Sequence, residues 1–76
     1  MKFRLATWDE GRKFMNDMAN VLNTELEIRD ARQVITTDSI EIHFQPDDRG
    51  FSFITCKIYD ESLKPTLELY KSHYTK

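Results

Sequence analysis

The residues whose types and spacing could do chemistry are Glu41 and His43, which lie two positions apart in an alternating apolar and polar segment. In a β-strand this spacing puts both side chains on one face, where a carboxylate and an imidazole could form an acid-base or metal pair. A metal site needs further ligands, and the spacing of the other histidine, His73, identifies no third partner. We therefore expect Glu41 and His43 to be a polar pair on a solvent-facing strand.

The single cysteine, Cys56, is the other potential nucleophile. A reactive cysteine needs an electropositive, partly open environment, whereas Cys56 lies in the most apolar segment, so we expect a core residue. The acidic doublets at 47–48 and 60–61 lack the alternating ligands of a calcium loop and suit turns and helix caps. No glycine-rich phosphate loop is present, and we expect no metal, no cofactor and no enzymatic activity.

Length, composition and charge set wider limits on the chain. Its 76 residues, 39% of them hydrophobic, predict one folded α+β domain over residues 1–76 with a thin core. One cysteine excludes an internal disulfide framework and fits a reducing, cytoplasmic environment. No apolar run suits a signal peptide or a membrane span, so we expect neither secretion nor membrane insertion. The net charge of −2 gives no general attraction to nucleic acid or anionic lipid.

The first third of the chain predicts a strand and a helix. Residues 2–6 alternate charged and apolar side chains, as a short strand does. Thr7 and Glu10 have the spacing of a capping box, which predicts that a helix begins there. Asn23 and Thr24 predict its end, because Asn tolerates the left-handed backbone conformation. The expected core face of this helix consists of Phe14, Met15, Met18, Val21 and Leu22.

The middle of the chain changes to a period of two, which predicts strands. One strand would carry Leu26 and Ile28, although a continuation of the helix through residues 24–30 is the alternative. A turn at Asp30–Ala31 would lead into a strand containing Val34 and Ile35. Residues 39–45 form the clearest strand, and the turn-rich segment 46–50 predicts an antiparallel hairpin with residues 51–59. In the clearest strand the expected buried side chains are Ile40, Ile42 and Phe44.

The last third predicts a doubly apolar strand and a helix. One face of the strand would carry Phe51, Phe53 and Tyr59, and the other Ile54, Cys56 and Ile58, so we expect it to be central or covered twice. Asp60 or Ser62 would cap the helix, with Pro65 near its start, and its apolar stripe would be Leu63, Leu67, Tyr70 and Tyr74. Together these elements predict a small two-layer α+β sandwich, in which an antiparallel meander of three to four strands is packed by an N-terminal and a C-terminal helix. The predicted order of elements is β-α-β-β-β-α.

The order helix, three strands, helix is similar to that of the double-stranded RNA-binding domain. That family carries a lysine cluster at the start of its last helix, whereas residues 60–65 here hold one lysine and two acids. The resemblance is therefore restricted to the order of elements, and we do not expect binding to duplex RNA.

By elimination, we interpret the sequence as a non-catalytic protein-binding module, such as the small regulators or inhibitors that bacterial and phage genomes encode. Partly exposed aromatic residues anchor many interfaces, which makes Trp8, Phe51, Phe53 and Tyr59 the candidate interface. Packing of these four side chains within the core is the alternative. A homodimer that buries the second sheet face would also enlarge the core.

Two other hypotheses can be stated from the sequence. A weak nucleic-acid-binding accessory domain would require the basic residues to converge on one face; they are Arg4, Arg12, Lys13, Arg29, Arg32, Arg49 and Lys57. An enzyme fragment active only within a complex would require Glu41, His43 and His73 to meet in a pocket.

Overall fold

The computed structural model describes residues 1–30 and 32–75, which form five strands and two α-helices. In chain order the elements are β1 Lys2–Leu5, α1 Trp8–Val21, β2 Glu27–Arg29, β3 Arg32–Thr36, β4 Ile40–Pro46, β5 Ser52–Ile58, a 3-10 helix Glu61–Leu63 and α2 Lys64–Tyr74. The α+β two-layer prediction is confirmed. The sheet holds more strands than the predicted three to four, because β1 also joins it.

The sheet is antiparallel throughout, with the strand order β1-β5-β4-β3-β2. Strands β2 to β5 form the predicted meander, and β1 pairs with β5 so that Phe3 lies opposite Ile54. The most apolar strand, β5, thus has hydrogen-bonded neighbours on both sides, as we expected of a central strand. Among the described residues no helix is long and apolar enough to cross a membrane.

Both helices pack on the same face of the sheet and share one apolar core. Its buried members are Leu5, Phe14, Met15, Met18, Ala19, Ile35, Ile40, Ile42, Phe44, Ile54, Cys56 and Leu67. Two expectations for the core were wrong. Val21 is 42% exposed, because Leu22 takes the core-side position at the end of α1. Ile28 is 73% exposed, because β2 is a three-residue strand at the sheet edge.

The ends of α1 follow the local signals in the sequence. The backbone N–H of Glu10 donates to the Thr7 hydroxyl at 3.1 Å, which confirms the predicted cap. Asn23 has a φ of 52°, so the helix ends before it, and residues 27–29 form a strand rather than a helical extension. Asp30 also has a positive φ, as a tight turn requires, while the other predicted turn residue, Ala31, lies outside the described residues.

Helix α1 lies close against the sheet at Gly11. A Cβ atom at this position would lie 2.3 Å from both the Phe44 ring and the Ser52 hydroxyl oxygen. The Ser52 hydroxyl, fully buried, donates to the backbone carbonyl of Thr7 at 2.7 Å. Glycine at position 11 therefore allows the first turn of the helix to lie against β4 and β5.

The C-terminal helix follows directly on the 3-10 helix. Asp60 accepts a hydrogen bond from the Ser62 backbone N–H at 3.0 Å and so caps the 3-10 helix, whereas α2 itself begins without a side-chain cap, which corrects the predicted capping of this helix by Asp60 or Ser62. Pro65 occupies the first turn of α2, as predicted. Near the other end, the Tyr74 hydroxyl donates to the Asp17 carboxylate of α1. Leu67 is the buried member of the predicted stripe, and the other three are partly buried against the core.

Candidate functional site

The sheet face opposite the helices, called the open face here, is set by the strand register. Side chains alternate along each strand, so the residues between the buried ones point away from the helices. Rows of neighbours across the face include Arg4, Phe53 and Gln45, and next to them Lys2, Thr55 and His43. The face is formed by Lys2, Arg4, Glu27, Arg29, Arg32, Val34, Thr36, Glu41, His43, Gln45, Phe53, Thr55 and Lys57.

Basic residues are concentrated on the open face. Its members Lys2, Arg4, Arg29, Arg32 and Lys57 face only two acids, Glu27 and Glu41, although the whole chain has a net charge of −2. The acidic excess therefore lies on the remaining surface. Of the basic residues named for a nucleic-acid interface, the structure brings four onto this face, places Arg49 in the adjoining loop, and leaves Arg12 and Lys13 apart on α1.

One end of the open face combines arginine with aromatic rings. The Arg4 guanidinium lies 4.3 Å from the centre of the Phe51 ring, and Arg49 lies 5.6 Å from the same ring. Phe53, two residues further along and opposite Arg4, is 40% exposed. Stacked guanidinium groups keep their N–H donors available to an anion. This group, Arg4, Arg49, Phe51 and Phe53, is called the aromatic end.

Trp8 lies near the aromatic end but belongs to the first turn of α1. Its indole N–H donates to the backbone carbonyl of Asp47 at 3.0 Å, and its side chain is 41% exposed. The Asp47 carboxylate accepts from Arg49 Nε at 2.9 Å, which holds the pKa of Asp47 below its ordinary value. Trp8 is thus not a core residue, and its indole tethers the β4–β5 loop to the first turn of α1.

The other end of the open face is a polar cluster around Glu41. Its carboxylate lies 2.5 Å from His43 Nε2 and accepts from the Tyr59 hydroxyl at 3.4 Å. The hydrogen bond with His43, together with nearby positive charge, lowers the pKa of Glu41. Tyr59 follows Phe53 by six residues along the strand direction, a separation of about 20 Å. The four candidate interface aromatics are therefore not one patch.

The potential catalytic residues do not meet in the described structure. His73 lies on α2, 5.6 Å from the Tyr70 ring, on the opposite side of the sheet from Glu41 and His43. Burial raises the pKa of the Cys56 thiol to about 11. Within residues 1–30 and 32–75, no group of three or more His, Cys, Asp or Glu side chains could hold a metal ion.

A shallow depression lies between β1 and β5 at the aromatic end. Its volume is about 270 Å³, and it is lined by Lys2, Phe3, Arg4, Phe53, Ile54 and Thr55. Phe3 and Ile54 are a register pair whose side chains point to the core, so their backbone forms the floor. Sequence reasoning did not single out Lys2 or place Arg4 beside Phe51. The alternation in residues 2–5 indicated that both would face away from the core, but the pairing of β1 with β5 was not predicted.

Comparison of the chain with protein-family models, with curated proteins and with solved structures finds no match.

Proposed function

We propose that this chain is a non-catalytic protein-binding module whose contact surface is the open face of the sheet. The observation that supports this proposal is the concentration of basic residues and exposed Phe53 on the sheet face that neither helix covers. Arginine and aromatic side chains are enriched among the residues that contribute most to protein interfaces. A complementary acidic surface would be steered towards this face and aligned on it.

The environment of the reactive groups supports a role without catalysis. Glu41 and His43 lie on an open strand surface rather than in a cleft, and none of the cavities described includes them. Catalytic acids and bases act in concave sites from which water is excluded. The buried Cys56 thiol, whose pKa is raised, is protonated at neutral pH and out of contact with substrate.

Nucleic acid is the second candidate partner, and the convergence of basic residues on one face favours it. Two carboxylates on that face count against it. Glu27 binds Arg29, and Glu41 is held in its charged form near the start of β4. A phosphate backbone that crosses the sheet would meet both negative charges. Tyr59 also engages Glu41, so its ring is less free to stack on a base. A protein surface of mixed charge matches this pattern better.

The basic excess also argues against a second copy of the chain on this face. In a twofold interface the same patch occupies both sides, so Lys2, Arg4 and Arg32 would oppose like charges. We expect the protein to be monomeric when this face is free, which sedimentation analysis over a range of concentrations would measure.

The experiment is a comparative capture from lysate of the source organism. The tagged protein is compared with a double variant of the open face, Arg4→Glu with Phe53→Ala, and with Arg12→Glu on the exposed side of α1 as the matched charge control. Lysates with and without nuclease treatment are used, and captured proteins are quantified by mass spectrometry. We expect a stoichiometric protein that the wild type and Arg12→Glu retain and that the face variant loses at least about tenfold.

Circular dichroism confirms that both variants are folded before they are compared. Capture that is equal for all three proteins would refute the open face as the contact surface. Material that disappears on nuclease treatment would favour the nucleic-acid alternative instead.

A further inference from the structure

The depression between β1 and β5 is smaller than the sites that bind whole cofactors or drug-sized ligands, which start at roughly 300 Å³. Its volume of about 270 Å³ suits a single large side chain. One wall is the exposed ring of Phe53, and the floor is sheet backbone, so an apolar group would be desolvated there. Lys2 and Arg4 line the same depression, which adds positive charge on the β1 side.

Lys2 and Arg4 have no carboxylate partner among the described residues. The ion pairs found there join Asp9 with Lys13, Glu27 with Arg29, Glu41 with His43, and Asp47 with Arg49. Arg49, which lies over the same Phe51 ring as Arg4, is therefore already occupied by an acid of the same chain. Lys2 and Arg4 are the basic residues at this end of the sheet that an external anion can engage without displacing an internal one.

Arg4 is also held in place before any partner arrives. Its guanidinium lies over the Phe51 ring, which restricts the side chain and keeps its N–H donors available to an anion. A carboxylate can accept two parallel hydrogen bonds from such a fork. Ordering a long side chain on binding costs about 0.5–1.5 kcal/mol, and the stacked position reduces this cost.

The spacing of the two cations selects an extended ligand. Lys2 and Arg4 are alternate residues of one strand, so their side chains leave the same face about 6.6 Å apart. Alternate side chains of an extended peptide have the same spacing. Beyond Arg4, in the same direction, lies Phe51, whereas Phe53 lies level with Arg4 on β5. A large side chain at the position beyond Arg4 reaches the Phe53 ring diagonally. A segment with one apolar residue followed at alternate positions by two carboxylates matches this row.

From this geometry, and on the basis of the proposed function, we infer that the β1–β5 depression binds an extended acidic segment of a partner protein. An aromatic or large aliphatic side chain of that segment packs against Phe53, and successive alternate carboxylates bind Arg4 and Lys2.

The test is a titration of the ¹⁵N-labelled protein, followed by its amide NMR shifts, with a synthetic seven-residue peptide. The probe has the order glycine, phenylalanine, serine, aspartate, serine, aspartate, glycine, with blocked ends. We expect shifts concentrated at residues 2–4 and 51–55. Replacing both aspartates of the probe by asparagine, or Arg4 by Glu, should weaken binding at least about tenfold, whereas Arg12→Glu should leave it unchanged.

Two further probes sharpen the result. A peptide with alanine in place of phenylalanine should bind more weakly, and an oligothymidylate of eight nucleotides should bind more weakly than the acidic peptide. No shifts, shifts centred away from residues 2–4, or tighter oligothymidylate binding would overturn the inference.

The outcome can be separated from that of the proposed function. Lysate capture that depends on Arg4 and Phe53, combined with no response to the peptide, would retain the open face as a protein-binding surface and refute the extended acidic ligand. A peptide response at residues 2–4 without face-dependent capture would retain the binding of an acidic segment by the depression and refute the open face as the surface that captures a partner from lysate.

Discussion

The two faces of the sheet are made by the same strands but follow different physical rules. On the covered face, every strand residue of the core is apolar, and β4 contributes Ile40, Ile42 and Phe44, all nearly inaccessible. On the open face, the residues between them are Glu41, His43 and Gln45, which hydrogen-bond or face solvent. Adjacent residues of the same strand thus alternate between apolar side chains packed in the core and polar or charged side chains on the open face.

This difference separates stability from recognition within a small domain. A thin core cannot lose much apolar contact, so substitutions on the covered face should be costly. Apart from Val34, which is 3% exposed, the open face contributes little packing, so substitutions there should change partner binding at small cost to stability. Equal effects on the unfolding free energy from substitutions on the two faces would refute this separation.

The largest effect should come from matched phenylalanines on opposite faces. Phe14 is fully buried and contacts Phe3 edge-to-face at 5.3 Å, whereas Phe53 is 40% exposed. Phe14→Ala should cost about 3–5 kcal/mol of unfolding free energy. Phe53→Ala should cost less than about 1 kcal/mol. Urea unfolding measures both.

Because a loss of that size could unfold a small domain entirely, the milder Phe14→Leu and Phe53→Leu provide a second matched pair. Phe14→Leu should still be the more destabilising of the two. Similar losses of unfolding free energy for both variants would mean that Phe53 on the open face contributes to stability as much as Phe14 does in the core.

The covered face was largely predictable from sequence because its signal is periodic. Three- and four-residue spacings located Phe14, Met15 and Met18, and a period of two located Ile40, Ile42 and Phe44. Local capping chemistry identified Thr7 and Asn23 in the same way. Exceptions arose where an element ends or lies at an edge, as at Val21 and Ile28, since periodicity does not show where a neighbouring element stops.

The open face was only partly predictable, because it depends on pairing between distant strands. Nothing local in residues 2–5 shows that β1 returns to β5, and only this pairing puts Arg4 beside Phe53. The Glu41 and His43 pair was predicted because both residues lie on one strand. Phe51 and Tyr59 were grouped because alternation puts them on one strand face, but their distance along the strand direction separates them.

A smaller effect on the covered face should come from Gly11. An alanine would normally improve a helix interior by about 1 kcal/mol. Here its methyl group would collide with Phe44 and Ser52, and such overpacking costs about 1–3 kcal/mol. Gly11→Ala should therefore destabilise the protein in urea unfolding.

Asn20→Ala, at an exposed position of the same helix, is the matched control for Gly11→Ala. It should be neutral or slightly stabilising, because only helix propensity changes there. A stabilising Gly11→Ala would show that α1 can move away from β4 and β5 without loss.

The smallest effect should be a pH-dependent one that also belongs to the helix side. The hydrogen bond to Asp17, together with burial, raises the pKa of Tyr74 from its ordinary value of 10.0 to about 12. The folded protein thus holds this proton more tightly than the unfolded chain. The resulting stabilisation is complete below the unfolded pKa of 10.0 and is lost as the pH rises through about 12.

Tyr74→Phe should cost about 1 kcal/mol at neutral pH, as the loss of one hydrogen bond does. Its unfolding free energy should then fall less steeply than that of the wild type between pH 10.0 and about 12. The raised pKa of Cys56 contributes a loss of the same sign in both proteins, so the difference between the two urea-unfolding series isolates Tyr74. Asp17→Ala should flatten the alkaline slope in the same way, because it removes the group that holds the proton. An alkaline slope that neither substitution changes would show that the contact between α1 and α2 does not depend on this hydrogen bond.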